Sequence, residues 1–235
     1  MDGSSGEAEA AAHRYQSLFQ DVAGISSRDL LRDSLSTSTN KPKWSFHGHN
    51  VLLVDVRTDS ERDVSIISGA VSLSEFKTNV LPSLEAKSVD DSALPDMIVT
   101  YCTIGFRSGV EACKLVNEYP NIFVGWQDDD ESTQEEGRTP KKLVGNLDGI
   151  IPFANASLEH ERGESTTSIP IEPLIIDHKT NTATNKVHVY GPAWKKYLTP
   201  KYDAITFSRI EFAWRGLMVL GRSCLSNLNC ACCKN

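Results

Sequence analysis

The sequence predicts an α/β fold in which a parallel sheet is flanked by helices. Two runs, residues 51–56 (VLLVDV) and 97–101 (MIVTY), are continuous, branched and apolar, which is the pattern of strands buried on both faces of a parallel sheet. Helical patterns lie between and after these runs, over part of residues 73–87 and over residues 108–118. Strands that alternate with helices indicate a parallel sheet joined by right-handed crossovers.

The composition is that of a globular protein and excludes several functional classes. Of the 235 residues, 40% are hydrophobic and 23% are charged, which excludes a wholly disordered chain. There are 24 Lys and Arg residues against 31 Asp and Glu residues, so the formal net charge is −7. Because nucleic-acid backbones are bound mainly by clustered cations, we expect no nucleic-acid partner.

The sequence also predicts a cytoplasmic location. No apolar run approaches the ~20 residues that span a bilayer. The first residues, MDGSSGEAEAAAHRY, lack both a cationic start and an apolar core, so we expect no signal peptide. The six cysteines do not form a framework spread through the chain, since four of them lie within the last twelve residues. Reduced thiols are therefore expected.

A cysteine-containing loop, residues 101–108 (YCTIGFRS), carries the candidate chemistry. Cys102 ends the second predicted strand, and Arg107 and Ser108 open the next predicted helix, so the thiol lies where open α/β sheets bind ligands. The N–H groups at the helix start and the charge of Arg107 would favour the reactive thiolate. The alternative is that Cys102 is a small buried apolar residue. The neighbouring Gly105, Arg107 and Ser108 favour the functional interpretation.

Four segments together resemble the rhodanese-like sulfurtransferases, and they occur in that family's order. They are residues 53–57 (LVDVR, followed by the acidic Glu61), 68–71 (SGAV), 101–108 (YCTIGFRS) and 146–150 (NLDGI). The resemblance covers about residues 24–158. It departs from the family at residues 65–70, which read SIISGA where Gly-His-Ile-Pro-Gly-Ala is common, and at Phe153, which stands near the position of a usual tryptophan.

The resemblance implies an enzyme that moves sulfane sulfur from thiosulfate or a persulfide donor to a thiol or cyanide acceptor. Cys102 would carry the sulfur as a persulfide, and Arg107 would hold the anionic donor. The loop that binds substrate and persulfide would consist of Thr103, Ile104, Gly105, Phe106 and Ser108. No metal and no cofactor are expected. Because Ile104 and Phe106 make the loop mouth apolar with a single cation, we expect poorer use of the dianion thiosulfate than a loop with two cations would show.

Asp55 and Arg57 are predicted to support the site rather than to react. An Asp and an Arg at a strand end often fix neighbouring loops, and the sequence suggests an ion pair between Arg57 and Glu61. Cys113 lies on the helix after the loop, where a core position is favoured over a second reactive thiol.

Two other functional classes stay open beside the sulfurtransferase. The first is a catalytically silent rhodanese-like module used for binding or regulation. The second is a phosphatase, which the loop length disfavours. The loop from Cys102 to Arg107 has six residues. The resemblance implies that the related phosphatases have one residue more in this loop. A tighter loop forms a smaller cradle, which suits one sulfur atom better than a phosphoryl group.

Three regions are predicted along the chain. Residues 1–21 are a polar N-terminal tail, residues 22–160 are the rhodanese-like domain, and residues 161–235 are a C-terminal extension with a cysteine-rich tail. Within the domain, residues 125–138 form an acidic insert, for which a solvated loop is favoured over a metal site. The extension is a candidate surface for a protein partner.

The end of the extension combines an amphipathic pattern with clustered cysteines. Apolar residues recur at helical spacing at Phe207, Ile210, Trp214 and Leu217. Packing against the domain is favoured over contact with a membrane. For Cys224, Cys230, Cys232 and Cys233, four interpretations stay open, namely a zinc site, an acylation site, a sulfur-relay acceptor and an inert tail.

Overall fold

The computed structural model describes residues 3–35, 44–86, 94–126, 141–163 and 173–206. The strands are β1 (Gly24–Ile25), β2 (Ser45–Phe46), β3 (His49–Asp55), β4 (Ile66–Ile67), β5 (Val71–Ser72), β6 (Met97–Tyr101), β7 (Phe123–Gly125), β8 (Lys142–Leu147), β9 (Ile175–Ile176), β10 (Lys186–His188) and β11 (Asp203–Ile205). The helices are α1 (Gly3–Gln16), α2 (Ser27–Leu35), α3 (Asp59–Arg62), α4 (Leu73–Glu75), α5 (Leu81–Glu85), α6 (Phe106–Glu118) and α7 (Ile150–Gly163), with a π-helical turn at Phe76–Val80 and a 3-10 turn at Pro192–Tyr197.

The central sheet is mostly parallel, which confirms the predicted fold class. Its strands follow the order β1-β8-β6-β3-β2, with β5 beside β3 and β7 beside β8. All of these pairs are parallel except β2 with β3, which form a hairpin. Strand β6 lies in the middle, and each of its five residues is buried. The continuous apolar pattern of Met97–Tyr101 predicts a strand buried on both faces, and the structure confirms this prediction.

Helices cover both faces of this sheet and form two cores. Leu53 and Val99 point into the core that also contains Leu30 of α2 and Ile151 of α7. Their neighbours Val54 and Ile98 point into the opposite core, with Leu84 of α5 and Leu115 of α6. Successive strand residues thus alternate between the two cores, as a pleated strand requires. Cys113 is buried in the second core, which confirms its predicted core position.

The segments on either side of the predicted domain pack onto it in the structure. Helix α1 lies within the predicted polar tail, yet its Ala8 and Ala12 are buried against the domain. In the predicted extension, β9 pairs with β4, and β10 pairs with β11. Val187 and Val189 are buried in the first core. The domain boundaries at residues 21 and 160 stay predictions.

Some predicted features lie outside the described residues. These are the acidic residues of the predicted insert beyond Trp126, the amphipathic pattern from Phe207 onward and the four C-terminal cysteines. Among the described helices, none is long and apolar enough to cross a membrane.

Candidate active site

Cys102 lies directly after β6, at the carboxyl edge of the sheet. Parallel pairing brings the ends of both neighbouring strands to the same edge, because Asp55 of β3 is opposite Tyr101 and Asn146 of β8 is opposite Thr100. The thiol residue itself is only 1% exposed. The predicted nucleophile is therefore deeply seated, at the position where open α/β sheets bind ligands.

The loop after Cys102 is fixed from below by the chain that follows β8. The first N–H groups of α7, those of Ile150 and Ile151, donate to the carbonyl oxygens of Cys102 (2.9 Å) and Thr103 (3.3 Å). Asn146 Nδ2 donates to the Gly105 carbonyl oxygen at 2.9 Å. Residues 146–150, one of the family-like segments, thus act as the base on which the cysteine loop rests.

Helix α6 begins at the end of the cysteine loop. Gly105 holds a left-handed φ of 88°, and the first helical bond runs from Gly109 N to Gly105 O (3.1 Å). The N–H groups of Phe106, Arg107 and Ser108 consequently have no acceptor within the helix. Ser108 Oγ is fully buried and has no hydrogen-bond partner among the described residues. These donors make the loop a candidate cradle for a thiolate, a persulfide or an anion.

Arg107 forms a two-pronged ion pair with Glu61 of α3. Its Nη1 donates to Glu61 Oε2 at 2.8 Å and its Nη2 donates to Oε1 at 2.7 Å. Nη2 also donates to Thr103 Oγ1 at 3.2 Å, which ties the guanidinium to the loop. The expected Arg57–Glu61 ion pair is therefore wrong, because Glu61 takes Arg107 as its partner.

The pair is largely shielded from water, and its mutual hydrogen bonds decide its protonation. Burial disfavours the charged form of Glu61, but hydrogen bonds from Arg107 and His188 and the charge of Arg107 outweigh it, so the pKa of Glu61 is held far below its ordinary value. Burial likewise opposes the charge of Arg107, yet the bonds to Glu61 and the charges of Glu61 and Cys102 raise its pKa. Both groups stay ionised over the accessible pH range.

Asp55 and Arg57 form a second buried pair beside the loop. The guanidinium Nε and Nη2 of Arg57 donate to both carboxylate oxygens of Asp55, with the shortest bond at 2.7 Å. Nη2 also donates to the Ser65 carbonyl oxygen at 2.7 Å, and the guanidinium lies 5.6 Å from the ring centre of Tyr101. The pair thus braces the residue directly before Cys102, an arrangement that fits the predicted supporting role.

Two residues of the predicted C-terminal extension join the site, and the sequence did not assign them to it. His188 at the end of β10 is fully buried, with Nδ1 3.4 Å from Glu61 Oε1. The ring of Tyr190 lies 5.2 Å from the Arg107 guanidinium. Within residues 187–190 (VHVY), apolar and polar residues alternate, so one face of an extended chain carries both His188 and Tyr190. That alternation was the available signal.

The predicted apolar mouth of the loop is only partly correct. Ile104 is buried in the first core, whereas Phe106 is 44% exposed. Aromatic residues surround Phe106, with the ring of Tyr15 at 5.6 Å and that of Phe19 at 5.9 Å. Trp194 stands 6.2 Å from Tyr15. The apolar rim is therefore built from the loop together with the first and last described segments.

Asp148 gives the base of the loop a pH-dependent stability. Burial raises the pKa of Asp148 to about 7, although hydrogen bonds from the Ser27 hydroxyl and N–H oppose the shift. Because the folded protein holds this proton more tightly than the unfolded chain, the stability it contributes is present below about pH 4 and is lost as the pH rises through 7.

Asp148→Asn is expected to remove that loss. Between pH 4 and pH 8, the free energy of unfolding should fall by on the order of 3 kcal/mol more in the wild type than in the variant. Urea unfolding at several pH values measures the difference, with Asp59→Asn, at a position that is 97% exposed, as the matched substitution. Parallel curves for wild type and Asp148→Asn would contradict the assignment.

No metal ligands come together in this region. Within the part of the chain that the structure describes, no group of three His, Cys, Asp or Glu residues is placed to hold a metal ion.

The family model of the rhodanese-like domain matches residues 40–125, which include Asp55, Glu61 and the whole cysteine loop. Residues 40–125 are a rhodanese-like domain. Residues 146–150 lie beyond the matched range, although the structure places them directly beneath the loop of this rhodanese-like domain.

The chain is also similar to solved structures, one of which is Saccharomyces cerevisiae Ygr203w, a homolog of single-domain rhodanese and the Cdc25 phosphatase catalytic domain. The two share 16% sequence identity, with 61% of this chain and 86% of that chain covered, and the TM-score is 0.36. None of the curated proteins matches the chain.

Proposed function

We propose that the rhodanese-like domain is a sulfurtransferase whose sulfur carrier is Cys102. The observation that carries this proposal is the short loop from Cys102 to Arg107, which ends in a helix start with unused N–H donors. The loop counts six residues from Cys102 to Arg107, and a loop this short suits one sulfur atom better than a phosphoryl group. A phosphoryl group needs a wider loop, so the loop length disfavours a phosphatase.

The proposed reaction is a two-step exchange with balanced charges. The Cys102 thiolate attacks the outer sulfur of thiosulfate, a sulfur–sulfur bond forms at Cys102, and sulfite leaves with the electron pair of the broken bond. An acceptor thiolate or cyanide then attacks the outer sulfur of the persulfide and restores the Cys102 thiolate. Because the sulfur is held covalently on Cys102 between the two steps, we expect ping-pong kinetics.

The surrounding groups have distinct roles in this proposal. The N–H groups of Phe106, Arg107 and Ser108 stabilise the outer sulfur of the persulfide, and Ser108 Oγ supplies a further donor. Thr103 and Gly105 keep the loop in shape, the first through Arg107 and the second through Asn146. Asp55 and Arg57 hold the strand end, as described above.

A second candidate is a rhodanese-like module that binds a partner and moves no sulfur. Two observations favour it, namely that Cys102 is almost completely buried and that Arg107 is fully engaged by Glu61. The packed C-terminal segment would then offer a surface for a protein partner. Sulfur loading of Cys102 separates the two candidates.

The test is the intact mass of the protein after incubation with thiosulfate or an organic persulfide. Wild type is expected to gain the mass of one sulfur atom, which cyanide removes as thiocyanate. Cys102→Ser should gain none, whereas Cys113→Ala, which removes a thiol from the second core, should load like wild type. Loading in Cys102→Ser would place the sulfur elsewhere, and no loading in wild type would favour the binding module.

A further inference from the structure

We propose that Glu61, held in place by His188 of the C-terminal segment, determines which sulfur donors the Cys102 site accepts. By cancelling the charge of Arg107, it makes the site select donors with one negative charge or none over dianions. The donor class deepens the proposed sulfurtransferase function and rests on it. The cancellation of charge is a property of the folded chain and is testable without sulfur transfer.

The geometry of Arg107 leaves little of its guanidinium for a donor. Glu61 engages both terminal nitrogens end-on, at 2.7 and 2.8 Å, and Nη2 makes a further bond to Thr103. The guanidinium carbon also lies 5.2 Å from the ring centre of Tyr190. The side chain of Glu61 is 3% exposed and that of Arg107 is 19% exposed. A donor therefore meets a satisfied ion pair rather than a free cation.

The rest of the described site does not restore a positive charge. The neighbouring Arg57 is fully buried and is matched by Asp55 through bonds of 2.7 to 3.2 Å. A third arginine, the buried Arg62 of α3, has Nε 3.9 Å from Asp55 and also faces the carboxylates of Glu75 at 3.4 Å and Asp59 at 3.8 Å. Each arginine beside the loop is thus matched by carboxylates of the chain. With the Cys102 thiolate present, the site carries net negative charge, and a second charge on the donor adds repulsion in a place that is shielded from water.

The C-terminal segment contributes to this arrangement through a buried contact. His188 approaches Oε1 of Glu61, the same oxygen that accepts from Arg107 Nη2. Its chain neighbours Val187 and Val189 are both buried in the first core, so the position of His188 is fixed by packing. Thr58 holds the other oxygen of Glu61 through its N–H and hydroxyl groups, at 3.0 and 2.9 Å.

The proposal separates two donors that deliver the same sulfur. Thiosulfate is a dianion, whereas an alkyl thiosulfonate carries one charge. With the thiosulfonate, the Cys102 thiolate forms a bond to the terminal sulfur, and the alkyl sulfinate leaves with the electron pair of the broken sulfur–sulfur bond. Methanethiosulfonate is the probe of this class, since it differs from thiosulfate only by a methyl group in place of one charged oxygen.

The first measurement uses alkylation of Cys102, followed by mass spectrometry of the peptide that contains it. Iodoacetate is an anion and iodoacetamide is neutral. The rate with iodoacetate divided by the rate with iodoacetamide therefore reports the charge beside the thiol. Glu61→Gln should raise this ratio about 3–10-fold, because it removes the negative charge that is paired with Arg107. Asp59→Asn removes a carboxylate from the same helix at a position that is 97% exposed, and should leave the ratio unchanged.

The role of His188 is tested with two substitutions in the same assay. His188→Leu removes the ring nitrogen beside Glu61 and should raise the ratio about twofold, whereas His188→Asn keeps an N–H donor and should restore the wild-type value. An unchanged ratio in His188→Leu would overturn the part assigned to the C-terminal segment. The same ratio is also measured for wild type unfolded in urea. A ratio several-fold higher in the folded protein than in the unfolded chain would indicate an uncancelled positive charge beside the thiol. That result would overturn the charge cancellation even if Glu61→Gln failed to fold.

The second measurement uses the two sulfur donors. The preference of kcat/KM for methanethiosulfonate over thiosulfate should fall about 3–10-fold in Glu61→Gln and stay at the wild-type value in Asp59→Asn. An unchanged preference in Glu61→Gln, with normal sulfur loading, would overturn the proposal. If wild type loads no sulfur from either donor, the proposed function fails, while the alkylation ratio still decides whether Glu61 cancels the charge of Arg107.

Discussion

Replacing Gly149 with alanine is expected to reduce sulfur loading of Cys102 about 100-fold or more. Gly149 has a φ of 117°, and a Cβ atom there would lie 2.5 Å from the Thr103 carbonyl oxygen and 2.6 Å from the Ile104 N atom. Both contacts are with the backbone of the cysteine loop, so the loop must shift. A displacement of about 1 Å at a reacting group costs about this factor in rate.

The same substitution should also destabilise the protein by about 3 kcal/mol or more, since it combines backbone strain with overpacking. Gly48→Ala is the matched control, because Gly48 also has a positive φ of 80° but has nothing within 4 Å of the added Cβ. That variant should lose only about 1–2 kcal/mol and keep normal loading. Equal loading rates in the two variants would contradict the proposed contact between Gly149 and the loop.

Replacing Arg107 with glutamine is expected to destabilise the protein by about 3–5 kcal/mol. The substitution leaves the Glu61 carboxylate, whose side chain is 3% exposed, without its cationic partner. Sulfur loading should fall at least about tenfold, because the guanidinium that fixes Thr103 is lost and the Glu61 carboxylate is left unpaired beside the loop. Urea unfolding and the rate of persulfide formation measure the two effects.

The double variant Glu61→Gln with Arg107→Gln separates stability from activity. It removes both charges, so most of the lost stability should return. Sulfur loading should stay low, because the arginine is still absent. If loading recovered together with stability, Arg107 would act only as a structural partner of Glu61, and its assignment as a catalytic residue would be wrong.

The sequence alone was sufficient for the local framework of the site. The apolar run at Met97–Tyr101 is the observed β6, and the helix predicted at residues 108–118 begins only two residues earlier, at Phe106. Both predictions follow from patterns over a few neighbouring residues. The strand is indicated by a continuous apolar run, and the helix by apolar residues at helical spacing. The position of Cys102 between them is therefore a local property of the chain, as is the loop length.

The sequence did not predict which charged residues pair with one another. Arg57 was paired with Glu61 on proximity along the chain, yet it binds Asp55, which is two residues away, and Glu61 binds Arg107, which is 46 residues away. Each carboxylate and arginine had several partners that sequence spacing allows. The choice depends on where α3 and α6 meet at the sheet edge, which only the packed structure defines.

The sequence likewise did not assign His188 and Tyr190 to the site. The sequence identifies residues 53–57, 101–108 and 146–150 as parts of one domain, because each resembles a known motif. The segment around His188 has no such motif, and its short alternating pattern is compatible with many surface strands. Tertiary packing alone decides that Val187 and Val189 enter the core and thereby place His188 against Glu61, since burial of apolar side chains acts between segments that are distant in the chain.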